Sequence, residues 1–114
     1  MEDSLITILE SFGFPVYRQG SLTPDTPYPD NFFTFWNSES PDHSYYDNDS
    51  YGIDWSYGVY FYSTDPVQTY DIITRARIEL KKNNWIVPSN GFDVPSDVPT
   101  HTGRGLEVYF MQFN

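Results

Sequence analysis

The side chains that could carry acid–base chemistry are two histidines, His43 and His101, and 16 carboxylic acids. Both histidines fall among polar residues in predicted loops, where a solvated imidazole is the ordinary outcome. A carboxylate pair needs one member in an apolar pocket. Asp54, beside Trp55, is the nearest candidate, but the alternation of its strand places it on the face away from the core. The chain has no cysteine, which excludes a thiol nucleophile, a disulfide and a thiolate metal site. We therefore predict no enzymatic activity and no cofactor.

One segment partly matches a calcium-binding loop. Asp47, Asp49 and Gly52 stand at the first, third and sixth positions of an EF-hand loop. However, Tyr51 occupies the fifth position, and Gly58 stands at the twelfth, where the loop needs a bidentate glutamate. We therefore predict no dedicated metal site in this segment.

Length and charge exclude several classes of protein. A chain of 114 residues supports a single domain, 1–114, because two domains would each fall below roughly 60 residues, where cores are marginal. The net charge of −10 opposes binding to nucleic acid or to anionic lipid. No apolar run approaches the roughly 20 residues of a membrane span, and the acidic start is unlike a signal peptide. We expect a protein that is made in the cytoplasm and does not bind membranes. Its aromatic share of 19% argues against disorder.

The hydrophobic pattern predicts the order helix, strand, strand, strand, helix, strand, strand. This order is typical of an α+β fold, with an antiparallel or mixed sheet and an N-terminal and a long helix packed on it. The predicted elements are helix 1–12, strands 16–22, 31–37 and 53–63, helix 66–83, and strands 85–88 and 106–113, with a long loop at 89–105.

Three elements have a clear buried side. Asp65 followed by Pro66 predicts the start of the long helix, because a carboxylate caps the helix and proline suits its first position. The expected core residues of that helix are Tyr70, Ile73, Ala76 and Leu80. In strand 53–63, alternation assigns to the core Ile53, Trp55, Tyr57, Val59 and Phe61, and in the last strand Leu106, Val108 and Phe110.

Charge is unevenly distributed along the chain. Segment 38–52 is interpreted as an acidic flap or hairpin tip, whereas basic side chains gather toward the end of helix 66–83. These cations could form a solvated face that complements the helix dipole. Alternatively, the flap of one subunit contacts the helix of the next, a heterologous contact that can close a ring. The candidate interface residues are then Asp42, Tyr45, Tyr46, Asp47 and Asp49 in the flap, and Arg75, Arg77, Lys81 and Lys82 on the helix.

Short aromatic and proline-containing segments follow one another in a characteristic layout: Gly-Phe-Pro-Val-Tyr at 13–17, Pro-Tyr-Pro at 27–29, Phe-Phe-Thr-Phe at 32–35, Tyr-Tyr-Asp-Asn at 45–48, Gly-Phe at 91–92 and Val-Tyr-Phe at 108–110. In this layout the chain resembles the small tail-terminator, or head-to-tail joining, proteins of long-tailed phages and of prophages in Gram-positive bacteria. The resemblance covers nearly the whole chain and rests on layout, because that family has no catalytic motif.

The resemblance implies a structural protein of the virion tail, made in the cytoplasm of the host bacterium. It implies a hexameric ring of identical subunits that ends the tail tube, with the major tail tube protein and a head-completion protein as partners. DNA would only pass through the ring. Two other classes remain open: an aromatic-rich module that binds a carbohydrate or peptide on Trp36 and Trp55, and an acidic inhibitor that mimics DNA.

Overall fold

The predicted order of elements is present in the computed structural model, which describes residues 2–18, 29–39, 52–95 and 100–113. The fold is α+β, with a mixed five-stranded sheet and two helices. The elements are α1 (Glu2–Glu10), β1 (Val16–Arg18), β2 (Asn31–Glu39), β3 (Gly52–Ser63), α2 (Pro66–Lys82), β4 (Phe92–Val94) and β5 (Thr102–Phe113). The acidic flap predicted at 38–52 lies largely outside the described residues.

The strands form one sheet in the order β1-β2-β3-β5-β4. β1 pairs with β2 in parallel, and the remaining neighbours are antiparallel. β3 and β5, each of 12 residues, pair along their full length at the centre of the sheet. Because side chains alternate along a strand, this pairing divides the residues of both strands between two faces.

Both helices pack on one face of the sheet and enclose a single core. From β3 this core takes Tyr57, Val59 and Phe61, as the alternation predicted, while Trp55 is partly buried against it. Nothing is described of the Ile53 side chain. In the last strand, too, the predicted residues face the core. Its core residues are Leu106 and Val108, which are completely buried, and Phe110, which packs against them.

Helix α2 begins where the sequence predicts, and three of its four predicted core residues, Ile73, Ala76 and Leu80, are completely buried. Tyr70 is 58% exposed, so its assignment to the core was wrong. The buried position is the neighbouring Thr69, whose hydroxyl lies 2.8 Å from the hydroxyl of Thr102. A buried hydroxyl is tolerated where it has a partner. Tyr70 instead supports the guanidinium of Arg104, whose central carbon lies 5.0 Å from the ring centroid.

The C-terminal third departs most from the predicted elements. The predicted strand at 85–88 is a single bridge between Ile86 and Tyr109. The predicted loop 89–105 contains β4 and the start of β5, which begins at Thr102 and not at 106. Gly103 and Gly105 suggested a loop, but in the strand they leave space for the rings of Tyr62 and Tyr60. Close approach of a ring is a recognised use of glycine within a strand.

Removing the cap of α2 should destabilise the protein moderately. The backbone N–H of Val67 donates a 3.0 Å hydrogen bond to Oδ1 of Asp65. Asp65→Ala should lower the free energy of unfolding by about 1 kcal/mol, measured by urea denaturation, because it leaves this donor without its cap. Asp65→Asn should lose much less, since asparagine caps equally well. Equal losses in the two variants would show that the charge, not the cap, stabilises the helix.

Candidate protein-interaction surface

The sheet face opposite the two helices is lined by aromatic side chains. We call this surface the open face. The strand register assigns to it the residues that alternate with the core set. They are Phe32, Thr34 and Trp36 of β2; Gly58, Tyr60 and Tyr62 of β3; Phe92 and Val94 of β4; Gly103, Gly105, Glu107, Tyr109 and Met111 of β5; and Ile86, which forms a bridge to Tyr109.

Glycines beneath the rings allow the aromatic side chains to lie close to the strands. A Cβ atom built on Gly105 would lie 2.5 Å from Cδ1 of Tyr60, and one built on Gly58 would lie 2.7 Å from Cδ1 of Trp36. Both distances are shorter than a real Cβ contact. The indole Nε1–H of Trp36 donates a 2.9 Å hydrogen bond to the Tyr60 hydroxyl. The rings are therefore held in place by glycine and by one another.

Ring contacts continue this layer across the sheet. Phe32 and Tyr62 stack with their centroids 5.2 Å apart, and Phe92 meets Tyr60 edge-on at 6.4 Å. Aromatic rings offer large contact areas with little loss of side-chain entropy, which favours them in protein interfaces.

Glu107 lies in the middle of this surface. Trp36, Gly58 and Glu107 are direct neighbours across three strands. Along β5, Glu107 is flanked by Gly105 and Tyr109. These two residues in turn pair with the residues at the sheet edge, Phe92 and Ile86.

Exposed apolar side chains lie on the same face of the sheet as this carboxylate. The described residues include eight large hydrophobic side chains that are exposed, and five of them are on the open face. These five are 38–48% exposed: Trp36, Ile86, Phe92, Tyr109 and Met111.

The Glu107 carboxylate is half-buried, and it has no hydrogen bond or ion pair with any described part of the chain. Its burial raises the pKa of the Glu107 carboxyl above its ordinary value. An unpaired, partly desolvated carboxylate among aromatic rings is a favourable site for a cation, which it would attract together with the ring faces.

The raised pKa of Glu107 predicts how the stability of the protein depends on pH. Because the folded protein holds the Glu107 proton more tightly than the unfolded chain, this group stabilises the fold below the unfolded pKa. That contribution is lost as pH rises through the folded pKa. Glu107→Gln should therefore be more stable than the wild type at neutral pH, with the difference vanishing in acid. Urea denaturation across pH, with the exposed Glu10→Gln as control, measures this. A difference independent of pH would contradict the explanation.

The four basic candidates of α2 do not form one patch. Arg75 is exposed and pairs with Asp71, with Nε and Oδ2 3.1 Å apart. Arg77, two residues later, lies on a different side of the helix, and its buried Nε has no hydrogen-bond partner. Lys81 and Lys82 are exposed in the last turn.

The five flap candidates, Asp42, Tyr45, Tyr46, Asp47 and Asp49, lie outside the described residues, as do His43 and the rest of the calcium-like segment up to Tyr51.

His101, the second histidine predicted to lie in a loop, is half-buried and contacts other residues. The His101 Nε2 lies 2.8 Å from the carbonyl oxygen of Pro29, and its ring meets Phe32 edge-on at 5.9 Å. The prediction of a solvated imidazole was therefore wrong for His101. Asp54 pairs with Met111 in the strand register, and its side chain lies outside the described residues.

The role of Arg104 was not predicted from the sequence. Its Nη1 donates a 3.0 Å hydrogen bond to Oδ1 of Asp93, and its Nη2 lies 3.3 Å from the carbonyl oxygens of Asn90 and Gly91. This guanidinium ties β5 to the turn before β4 while resting on Tyr70. The feature of the sequence that could have indicated this role is the position of an arginine between Gly103 and Gly105.

Within residues 2–18, 29–39, 52–95 and 100–113, no three histidine, aspartate or glutamate side chains are grouped as metal ligands. Neither described helix is long and apolar enough to cross a membrane. No protein-family model matches the sequence, and no curated protein matches it significantly.

Proposed function

We propose that this protein is a non-enzymatic subunit of a phage virion, a tail terminator or head–tail connector that caps the tail tube as a ring. The open face carries the proposal: it holds five exposed large hydrophobic side chains and a half-buried carboxylate that has no hydrogen bond or ion pair within the described part of the chain. Exposed apolar patches of this kind mark surfaces that other macromolecules cover. The aromatic layer is held in a defined geometry, as a repeated assembly contact requires.

The partners follow from this role. They are further copies of the same chain in the ring, taken as a hexamer, together with the major tail tube protein and a head-completion protein. DNA passes through the ring without being bound, which the net charge of −10 favours because it repels phosphate. The proposal places the protein in the tail of the virion after its synthesis in the bacterial cytoplasm.

Deleting the gene from the phage or prophage genome that encodes it tests this function. After induction, negative-stain images should contain overlong tails or tails without heads, because nothing stops tube polymerisation or joins the tube to the head. Supplying the wild-type gene from a plasmid should restore normal particles. Normal, infectious particles without the gene would contradict the proposal.

A second candidate function is a module that binds a carbohydrate or a peptide, and the exposure of Trp36 favours it. Trp36 is 44% exposed and fixed against Tyr60, an arrangement suited to stacking against a ligand. Trp85, by contrast, is 3% exposed. Titration with soluble oligosaccharides should then quench tryptophan fluorescence in the wild type but not in Trp36→Phe. Absence of quenching would remove this candidate.

A further inference from the structure

The exposed apolar side chains of the described chain fall on two surfaces. Five of the eight lie on the open face, and the other three, Val67, Tyr70 and Ile78, lie on α2. Because α2 packs on the other side of the sheet, the two surfaces point in opposite directions. A subunit with this arrangement exposes apolar side chains on two sides of the sheet, and each set could contact another protein chain.

The two surfaces are complementary in charge as well as apolar. On the open face, a carboxylate lies among apolar groups. On α2 the charge has the opposite sign. Ile78 is 51% exposed there, and basic residues lie three or four positions away at Arg75, Lys81 and Lys82. Side chains at those spacings are neighbours on a helix surface. Arg75 is already engaged with Asp71, which leaves the two lysines to meet an external anion.

We propose that the open face of one subunit binds α2 of a second copy, with Glu107 paired to Lys81 and Lys82 of that copy and Ile78 packed against the aromatic layer. This contact deepens the assembly role proposed above, and its place in a tail ring rests on that role. It is heterologous, so repetition produces a ring where the rotation closes and a filament where it does not.

Charge also disfavours the alternative dimers of identical surfaces. A contact between two open faces would put a Glu107 carboxylate on each side of one interface, and a contact between two α2 helices would put lysines on each side. Like charges facing each other across an interface are destabilising. A contact between opposite surfaces avoids both repulsions. The acidic side of the contact is Glu107, at a different place from the flap at 38–52 that the sequence suggested.

Sedimentation velocity of the purified chain over a range of concentrations tests the contact. The wild type should associate increasingly with concentration. Glu107→Lys should bind at least about thirtyfold more weakly, because a partly buried charge then meets like charge. The double variant Lys81→Glu, Lys82→Glu should be weakened similarly, and its substitutions are at exposed positions that do not affect the core. An equimolar mixture of the two variants should associate again, since each open face then meets an oppositely charged helix.

Glu10→Lys is the matched control, because it makes the same charge change at an exposed position of α1, and it should associate like the wild type. Circular dichroism establishes that each variant is folded. A wild type that remains monomeric at every concentration, or charge-reversed variants that associate normally, would overturn the proposed contact. Failure here combined with overlong tails on gene deletion would reject the contact and keep the function. Association that depends on Glu107, combined with normal particles on deletion, would do the reverse.

Discussion

Phe61→Ala should lower the free energy of unfolding by about 3–5 kcal/mol, because it opens a cavity in the middle of the core. Phe61 is completely buried on β3, and its ring centroid lies 4.8 Å from that of Phe33 and 5.3 Å from that of Phe14. Domains of this size are stable by about 5–15 kcal/mol in total. The substitution therefore removes a large share of the stability, which urea denaturation followed by circular dichroism measures.

Phe92→Ala is the matched control for this substitution. It deletes the same atoms from an exposed position on β4, where the ring is 38% exposed and meets Tyr60 edge-on. The loss there should be about 1 kcal/mol, because much less apolar area returns to water. If the two substitutions destabilised the protein equally, the assignment of the core to the helix-covered face would be wrong.

The second large effect concerns the glycine that lies beneath the Tyr60 ring on the open face. Gly105→Ala should destabilise the protein by about 1–3 kcal/mol, because the new Cβ would lie 2.5 Å from Cδ1 of Tyr60 and would push this ring away. The displacement should also disturb the hydrogen bond between Trp36 and Tyr60 and so shift the tryptophan emission. Urea denaturation and fluorescence spectra measure the two effects.

A double-mutant cycle isolates the contact between Gly105 and the Tyr60 ring. In a Tyr60→Ala background, Gly105→Ala should cost much less, since the ring that the methyl group meets is gone. Groups in direct contact show such coupling, whereas independent groups add. An undiminished cost in that background would mean that the backbone, not the aromatic ring, requires glycine.

Local signals in the sequence were sufficient for the elements that local chemistry defines. Asp65 and Pro66 predicted the start of α2, because capping depends only on neighbours in the chain. Strict alternation over Tyr57, Val59 and Phe61 gave the correct core face of β3. The class and the order of elements followed from these patterns.

Features that depend on distant partners were not predictable in the same way. Burial of Thr69 in place of Tyr70 requires the hydroxyl of Thr102, which is 33 residues away in the chain. β4 has only three residues, too few for a periodic pattern.

The open face was missed because the sequence does not show which strands are neighbours in the sheet. The alternation of strand 106–113 already separated Glu107 from Leu106 and Val108, while Gly103 and Gly105 were assigned to a loop. Only the pairing of β5 with β3 brings Glu107 and Trp36 together, one on each side of Gly58. The sequence therefore indicated an aromatic, interface-like protein but not where its exposed aromatic side chains would gather.

Tail length should be measured in a phage that lacks this gene and receives it from a plasmid. We expect tails of normal length with the wild-type gene and overlong tails with Glu107→Lys alone. We expect normal length again when Glu107→Lys is co-expressed with the Lys81→Glu, Lys82→Glu variant. Tails of normal length with Glu107→Lys alone would contradict an assembly role for the open face.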